Sequence, residues 1–284
     1  MLKENTVYFG DSFELLKQIP DNSIPLVLVD PPYKIGYDSK NKWDSGEFID
    51  FTTKWVKECF RVLTPTGTMW SFMGYENLFT HKGCNKGFIN ILEEYGNVHL
   101  ENMTVWARQK GRGSSKHLKS QREDLIHSTK SDKFIWNNLK VLREVIAPYV
   151  KDGRPRGWFL DSSGKRVRWT GLGNVWCYSS PQFNGKVEKQ WHPAQKPIMM
   201  LERLIRLSSN EGDLVLDPFS GSGSVALACK LSGRKFLSFE NNQEYFNKSV
   251  QRLENFNSDN YVEYNKTLDL NIKRKNQILE LEKV

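Results

Sequence analysis

Long apolar runs are missing from this sequence. No stretch approaches the roughly 20 apolar residues that a helix needs to cross a bilayer, and no apolar signal core precedes the strand-like Val7–Phe9. We therefore expect no membrane span and a cytoplasmic location. Hydrophobic residues make up 38% and charged residues 26% of the 284 residues, which is typical of a globular protein. We expect one large α/β domain that carries an insertion.

Cysteine and histidine are also scarce. The four cysteines are far apart, with no Cys-x-x-Cys pair and no paired histidines, which argues against a disulfide framework and against a zinc site. His81 and Cys84 are three residues apart, but two ligands without a second pair do not define a metal site. We expect no bound metal and buried thiols at Cys59, Cys84, Cys177 and Cys229.

Acidic residues are sparse in one part of the chain, which we call the basic segment. From Arg108 to Gln190 there are 18 Lys or Arg against 7 Asp or Glu, whereas the remaining residues have 23 against 26. A solvated basic face is one interpretation. Tryptophans interleave with the cations, however, as in surfaces that bind phosphates and stack bases; they are Trp136, Trp158, Trp169 and Trp176. The composition therefore predicts contact with nucleic acid.

Strand-like and helix-like segments alternate on both sides of the basic segment, which predicts an α/β fold. The Gly/Ser-rich stretch Gly111–Ser115 indicates a boundary near the start of the basic segment. The basic segment itself is rich in turn residues, and we predict no regular fold for it. We expect residues 1–107 and 191–256 to form the two halves of one α/β domain. Residues 108–190 would form an insertion and residues 257–284 a tail.

A glycine turn follows a predicted strand in the second half, at Asp217–Gly223. Gly221 and Gly223 would let the backbone approach a ligand at the start of a helix, where free N–H groups favour a negative group. A tight strand-to-helix connection is the alternative. Glu240 lies 19 residues after Gly221, at the end of the next predicted strand, where a carboxylate can accept both ribose hydroxyls. This spacing predicts a bound nucleoside.

The same turn argues against a nicotinamide dinucleotide. That fingerprint needs three glycines to admit a pyrophosphate, but Phe219 and Ala226 occupy two of the positions. S-adenosylmethionine has an adenosine without a phosphate, and its carboxylate suits a helix start. It is therefore the better candidate. Asp11, which ends the first strand, either accepts from an adenine amino group or caps a helix.

Asp30-Pro31-Pro32-Tyr33 ends the buried strand Ile24–Val29. An exocyclic base amine is a poor nucleophile because its lone pair is delocalised into the ring. The Asp30 carboxylate and the Pro31 carbonyl can each accept one amine hydrogen and direct that lone pair, while Tyr33 stacks on an extruded base. Pro32 fixes the turn. A rigid strand end with a half-buried tyrosine is the alternative.

Three sequence blocks together resemble the amino methyltransferases of DNA, in the permuted order called the beta group, of restriction-modification type. The blocks are Asp30–Tyr33, Trp191–Pro197 and Asp217–Gly223. The resemblance implies a doubly wound, seven-stranded methyltransferase sheet of Rossmann-like type, with the basic segment as an inserted target-recognition segment. It also implies that the second block lies beside the methionine end of the cofactor, through His192, Gln195 and Lys196. Glu240 would meet the ribose, and Asp11 would lie near the adenine.

The resemblance implies transfer of a methyl group from S-adenosylmethionine to adenine N6 in double-stranded DNA, with base flipping. An initial Asp in the tetrad resembles adenine-N6 members, whereas cytosine-N4 members more often begin with Ser. Cytosine-N4 methylation and a non-catalytic DNA-binding regulator remain alternatives. A cognate restriction endonuclease and a homodimer are further implications. The cationic candidates for DNA contact are Arg112, Lys116, Lys119, Arg122, Arg154, Arg156, Arg166 and Arg168.

Overall fold

The computed structural model describes most of the chain, namely residues 2–32, 45–74, 77–79, 86–95, 98–114, 116–145, 150–151, 154–155, 157–181 and 188–259. These residues form two compact units. The larger unit comprises the residues up to Trp136 together with Asn174–Phe256. The smaller unit comprises Asn137–Gly173 and the described residues from Asn257. Tyr33, His81, Cys84, Arg156 and residues 260–284 of the tail lie outside the described residues.

The larger unit alternates strands and helices. Its elements are β1 (Thr6–Phe9), α1 (Ser12–Leu16), β2 (Ile24–Val29), α2 (Ser45–Val62), β3 (Leu63–Met73), α3 (Phe88–Tyr95), β4 (His99–Ser114), β5 (His117–Thr129), and, after the smaller unit, β11 (Val175–Cys177), α4 (Ile198–Ser208), β12 (Leu214–Asp217), α5 (Ser224–Ser232), β13 (Lys235–Glu240) and α6 (Gln243–Glu254). The smaller unit consists of short strands. They are β6 (Lys140–Glu144), β7 (Val150–Lys151), β8 (Arg154–Pro155), β9 (Phe159–Leu160) and β10 (Arg166–Gly171).

The described strands of the larger unit form one eight-stranded sheet, in the order β1-β13-β12-β2-β3-β5-β4-β11. The strands from β1 to β3 are parallel, β5 is antiparallel to both β3 and β4, and β11 is parallel to β4. This confirms the predicted doubly wound α/β sheet, with eight strands where seven were expected. At the centre of the sheet, β2 pairs with β12, which is distant in sequence. Leu26 lies beside Val215, and Val27 beside Leu216.

Helices cover both faces of this sheet, which explains the continuous apolar run of β2. Val27 and Val29 pack in a core cluster with Trp55 and Phe60 of α2. On the opposite face, the indole N–H of Trp70 donates to Ser208 at the end of α4 over 2.9 Å. A parallel strand buried on both faces can be apolar at every position. No described helix is both long and apolar enough to cross a membrane.

The start of the basic segment belongs to the sheet. The predicted boundary at residue 108 falls inside β4, which continues to Ser114 and pairs with β5. Register shifts occur between Ala107 and Arg112 and between Arg112 and Ser114. A long antiparallel hairpin tolerates glycine and serine at such bulges. Gly111 and Gly113 therefore do not end β4. Cys177 is exposed on β11, contrary to the expectation of a buried thiol, whereas Cys59 and Cys229 are buried.

The smaller unit has regular structure that the sequence did not predict. Its strands form an antiparallel sheet in the order β6-β10-β9 and a separate β7–β8 pair. Val141 and Val167 are fully buried in it, and Gly157 and Gly164 adopt positive φ angles of 71° and 79°. Strands of two to six residues between glycine turns are too short to show a clear period in the sequence. Their pairing therefore depends on contacts that only the folded chain makes.

His127 is a buried polar residue on β5 with an unusual environment. Its ring stacks on Trp70 at 4.4 Å and on Trp136 at 5.5 Å between centroids. Neither ring nitrogen has a hydrogen-bond partner among the residues that the structure describes. Burial lowers the pKa of His127 to about 4. The imidazole is therefore neutral at physiological pH. Its two buried nitrogens lost their hydrogen bonds to water on folding, which destabilises the folded state.

His127→Phe is expected to stabilise the protein, because the phenyl ring keeps the stack and removes a desolvation cost of about 1–3 kcal/mol. The melting temperature should rise by about 2–4 °C for each kcal/mol gained. The folded protein resists protonation of His127 down to about pH 4, whereas the unfolded value is near 6.5. The free energy of unfolding of the wild type should therefore fall as the pH decreases from about 6.5 to about 4. The variant lacks the titrating group and should not show this decrease. His99→Phe, at an exposed position of β4, is the control; equal stabilisation by both changes would contradict the explanation.

Candidate active site

The carboxyl ends of β1, β2, β12 and β13 border a cavity of about 460 Å³. Most of the predicted catalytic and cofactor-binding residues lie in its wall. They are Asp11, Asp30, Pro31, Pro32, His192, Gln195, Lys196, Asp217, Phe219, Gly221 and Glu240. Gly223 is not part of the wall, and Tyr33 lies outside the described residues. The sheet order explains this convergence, since strands that are far apart in sequence end side by side.

The glycine turn uses its two predicted glycines differently. Both have positive φ angles, 51° at Gly221 and 73° at Gly223, which L side chains rarely adopt. A Cβ added to Gly221 would lie 3.0 Å from Nε2 of His192, inside the cavity wall. A Cβ added to Gly223 would lie 3.2 Å from the Cβ of Ser249 on α6. Gly221 therefore keeps the cavity open, and Gly223 allows α5 and α6 to pack closely.

Glu240, at the end of β13, holds the glycine turn in place. Its Oε2 accepts the N–H of Gly221 and its Oε1 accepts the N–H of Asn242, each over 2.8 Å. Burial raises the pKa of Glu240, although these backbone donors oppose the shift. A carboxylate offers about four lone pairs, so these backbone donors leave acceptor capacity for a hydroxyl group of a ligand.

Asp217, at the end of β12, is a buried carboxyl in the cavity wall. Its Oδ1 accepts the N–H of Phe219 over 3.2 Å. Burial, followed by the nearby Asp30 and Glu240 carboxylates, raises the pKa of Asp217 to about 8, while the Phe219 N–H opposes this shift. Asp217 is therefore mainly protonated at pH 7 in the absence of a ligand. A cationic ligand group beside it would favour the ionised form.

Asp11 acts as the N-cap of α1. Its Oδ1 accepts the backbone N–H groups of Phe13 and Glu14 over 2.9 and 3.2 Å. This is the capping role that the sequence left open beside the adenine contact. Asp11 also lies in the cavity wall, so the adenine contact stays a prediction.

Asp30 and Pro31 place the start of the predicted catalytic tetrad at the end of β2. Pro31 is buried and Asp30 is half-buried. Asp30 Oδ2 lies 2.6 Å from Nζ of Lys196, and the same ammonium lies 3.0 Å from Oε1 of Glu123 on β5. Glu123 is a residue that the sequence interpretation missed. The only signal in the sequence is that Glu123 shares one face of β5 with Leu125 and His127, which indicates that it points into the protein.

The segment before α4 supplies two further wall residues. The pKa of His192 is lowered to about 4, first by burial and then by the nearby Lys196 and Arg252 cations, so its ring is neutral. Gln195 accepts the N–H of Gln190 over 3.0 Å and donates to the carbonyl of Glu188 over 2.8 Å. The Gln195 amide therefore fixes the shape of this segment, and its predicted cofactor contact stays a prediction.

The described DNA-contact candidates differ in their surroundings. Arg166 and Arg168 are exposed on β10, on either side of the buried Val167, and the Arg166 guanidinium lies 5.7 Å from the Trp158 ring centre. Lys116 and Arg154 are also exposed. Arg122, in contrast, forms an ion pair with the buried Asp124 over 2.7 Å, which reduces its charge available to phosphate. The backbones of Arg112 and Lys119 lie in β4 and β5.

The site contains polar groups suited to an adenosine-containing cation and to an amine, and the described residues contain no cluster of His, Cys, Asp or Glu that could hold a metal ion. The start of α5 provides N–H groups for a carboxylate, and Asp217 provides a carboxyl for an ammonium. Glu240 provides acceptors for hydroxyls. These residues fit the amino-acid head and the ribose of S-adenosylmethionine.

Comparisons with known proteins identify DNA methyltransferases among the relatives of this chain. Similar relatives include the type II methyltransferase M.HpaI of Haemophilus parainfluenzae, 32% identical over 86% of this chain and 73% of that protein. The DNA adenine methyltransferase YhdJ of Escherichia coli is 31% identical over 98% of this chain and 93% of that protein. Similar solved structures include PvuII DNA methyltransferase, described as cytosine-N4-specific, with a TM-score of 0.62 and 22% identity over 94% of this chain and 93% of that one.

A second solved structure is the M1.HpyAVI–SAM complex, with a TM-score of 0.56 and 23% identity over 88% of this chain and 99% of that one. At these identities the structural likeness concerns the fold. The sequence model of the family described as DNA methylase, N6_N4_Mtase, matches residues 24–251, from β2 into α6. This match covers most of the chain and includes the ends of β2, β12 and β13 that border the cavity. The chain belongs to the N6/N4 DNA methylase family.

Proposed function

We propose that this chain methylates the N6 amine of adenine in double-stranded DNA, with S-adenosylmethionine as the methyl donor and with the target base flipped out of the duplex. One observation carries the proposal. Asp30 and Pro31 at the end of β2 and the Gly221 turn after β12 line the same cavity, because β2 and β12 are neighbours in the sheet. A donor held by one strand end can therefore face an amine held by the other.

The residues for the donor are those around the glycine turn. Glu240 is placed to accept the ribose hydroxyls, the N-terminus of α5 to receive the carboxylate, and Asp217 to pair with the ammonium group. When bound, S-adenosylmethionine supplies a methyl group on a positively charged sulfur, and the carbon–sulfur bond breaks as the amine lone pair bonds to that carbon. Glu240 and Asp217 in the cavity wall favour a cationic ligand over a neutral one, since a cation beside Asp217 stabilises its ionised form.

The residues for the target amine are Asp30 and Pro31. One oxygen of Asp30 and the Pro31 carbonyl each accept an amine hydrogen, which turns the nitrogen lone pair away from the base ring and towards the donor. The nitrogen gains a bond and must lose one proton. The acceptor of that proton is Asp30 or a water molecule. Tyr33 is proposed to stack on the flipped base.

The choice of adenine rests on the Asp that begins the tetrad and on the relative YhdJ, which is named a DNA adenine methyltransferase. The PvuII enzyme, named as cytosine-N4-specific, shares the fold, so product analysis is decisive. Incubation with methyl-labelled S-adenosylmethionine and unmethylated DNA, followed by digestion to nucleosides, is expected to yield labelled N6-methyladenine. Labelled N4-methylcytosine would overturn the choice of base. Binding of both ligands without transfer would support the regulator alternative.

The resemblance also predicts a cognate restriction endonuclease and a homodimer. Several relatives, including M1.MboII of Moraxella bovis, are named type II methyltransferases. Sequencing of DNA from a methylation-free host that expresses the chain would identify the recognition site. Sedimentation of the purified protein would test for the dimer.

The smaller unit is proposed to contact the DNA backbone through β10. Arg166→Ala/Arg168→Ala is expected to weaken duplex binding roughly three- to tenfold and to reduce the slope of log affinity against log salt by roughly 2. S-adenosylmethionine affinity should not change. Both quantities are measured by fluorescence anisotropy and calorimetry. Lys17→Ala/Lys235→Ala removes two exposed cations outside the basic segment; an equal loss of DNA binding in this control would count against a role for β10.

A further inference from the structure

The hairpin of β9 and β10 in the smaller unit is closed by an ordered turn. Asp161 Oδ1 accepts the backbone N–H groups of Ser163 and Lys165, each over 2.9 Å, and the hydroxyl of Ser163 over 2.7 Å. The N–H of Asp161 donates to the carbonyl of Lys165 over 2.9 Å, and Gly164 has a positive φ of 79° within the turn. The turn therefore fixes how the two strands present their side chains.

One face of this hairpin is basic and continues onto β6. In the antiparallel register, Arg166 lies opposite Leu160, and Arg168 lies opposite Arg143. Residues directly opposite each other point to the same face of a sheet, and alternate residues of one strand share a face. All four side chains are exposed, and Leu160 is 61% exposed. We call this surface the arginine face; it combines three cations with one apolar side chain.

The charges of the arginine face are not compensated by carboxylates. Within the described ranges, no Asp or Glu forms an ion pair with Arg143, Arg166 or Arg168. Glu144 of β6 lies opposite Val167 and therefore on the other face. Like charges directly opposite each other destabilise a sheet. A bound anion would relieve this repulsion, and the fork of a guanidinium suits phosphate oxygens.

Two of the three guanidinium groups have neighbours that limit their movement. The Arg166 guanidinium lies 5.7 Å from the centre of the Trp158 ring. A Cβ added to Gly173 would lie 2.6 Å from Nη2 of Arg143, so this guanidinium packs against the Gly173 backbone. Side chains that are ordered before binding lose less conformational entropy when a partner arrives. The arginine face is therefore partly organised for an anionic partner before that partner binds.

DNA matches both the charge and the shape of this surface. From Asn137 to Gly173 there are 8 Lys or Arg against 3 Asp or Glu, as expected of a surface that binds phosphates. The major groove of B-DNA admits a two-stranded β-ribbon, and its thymine methyl groups accept apolar contacts. A hairpin with an exposed leucine beside arginines therefore provides one side chain type for the bases and another for the backbone.

We propose that the β9–β10 hairpin enters the major groove of DNA as a two-stranded ribbon, with Leu160 against the base edges and Arg143 and Arg168 on backbone phosphates. This proposal rests on the proposed DNA substrate. It adds Leu160 as a side chain that contributes to sequence discrimination and Arg143 of β6 as a phosphate contact.

Leu160→Ala is expected to reduce sequence discrimination. Two duplexes are compared by fluorescence anisotropy: one carries the sequence that the wild type methylates, and the other has the same bases in scrambled order. Affinity for the first should fall roughly tenfold, as for one mismatched base pair. Affinity for the scrambled duplex should not change, because phosphate contacts carry no sequence information. Leu100→Ala, at an exposed leucine of β4, is the control and should bind both duplexes like wild type.

Arg143→Ala is expected to weaken binding of both duplexes by a similar factor, roughly threefold. The slope of log affinity against log salt should decrease by about 1, because one phosphate contact is lost. Lys140→Ala is the matched control. Lys140 is an exposed cation of the same strand that points to the opposite face, so its removal should leave the slope at the wild-type value.

A Leu160→Ala variant that weakens both duplexes equally, or neither, would refute the base contact. An unchanged salt slope in Arg143→Ala, or an equal decrease in Lys140→Ala, would refute the arginine face as the surface that binds phosphates. The proposed function fails separately, if the wild type transfers no methyl group to DNA. The salt slopes of Arg143→Ala and Lys140→Ala on the scrambled duplex need no methyl transfer, so they decide whether the arginine face binds DNA in either case.

Discussion

Asp30→Asn is expected to lower kcat for methyl transfer to DNA roughly a thousandfold. Asparagine keeps the size of the side chain and one oxygen, but it loses the negative charge that accepts an amine hydrogen and stabilises the positive nitrogen. S-adenosylmethionine should still bind, because the proposed contacts to the donor are made by Glu240, Asp217 and the start of α5 and not by Asp30. Transfer of labelled methyl groups measures the rate, and calorimetry measures the affinity.

The control for Asp30→Asn is Asp21→Asn. Asp21 is an exposed acid whose side chain forms an ion pair with Arg61 over 2.6 Å, outside the cavity wall. This variant should transfer methyl groups at the wild-type rate. A wild-type rate in Asp30→Asn would remove Asp30 from the mechanism, and a loss confined to cofactor affinity would assign it to cofactor binding instead.

Gly221→Ala is expected to weaken S-adenosylmethionine binding roughly ten- to hundredfold. The residue has a φ of 51°, and the new Cβ would lie 3.0 Å from the His192 ring. A non-glycine residue in this conformation costs about 1–2 kcal/mol, and relief of the contact requires the turn or the ring to move within the cavity. Titration calorimetry gives the dissociation constant, and thermal unfolding without ligand reports the strain.

Gly212→Ala provides the matched control. Gly212 also has a positive φ, 84°, but an added Cβ would meet no atom within 4 Å. This variant should carry similar backbone strain and a similar loss of melting temperature, while its cofactor affinity stays at the wild-type value. If both variants lost affinity equally, general destabilisation would explain the effect, and the role of Gly221 at the cavity would be rejected.

Local patterns in the sequence were sufficient to predict the alternating strands and helices of the larger unit. Apolar periods and glycine turns depend on short-range interactions, so Ile24–Val29 and the strand before Asp217 could be recognised directly. The meeting of their ends followed from the resemblance, and the sheet order confirms it. The site roles of the individual residues stay predictions.

Other features depended on pairings that no local pattern contains. Lys196 and Asp30 are 166 residues apart, and Glu123 comes from a strand inside the segment for which no regular fold was predicted. The packing role of Gly223 likewise depends on Ser249, a neighbour only in the folded chain. The strands around Val167 are too short for their order to be recognised before the unit is assembled.

The sheet order has a consequence for synthesis on the ribosome. The central strand β2 lies between β3 and β12, and β12 begins only at Leu214. The apolar edge of β2 therefore lacks one of its neighbours until most of the chain has been translated. Such long-range pairings form slowly and leave strand edges open to aggregation. We expect the nascent amino-terminal half to require chaperone protection until β12 and β13 emerge.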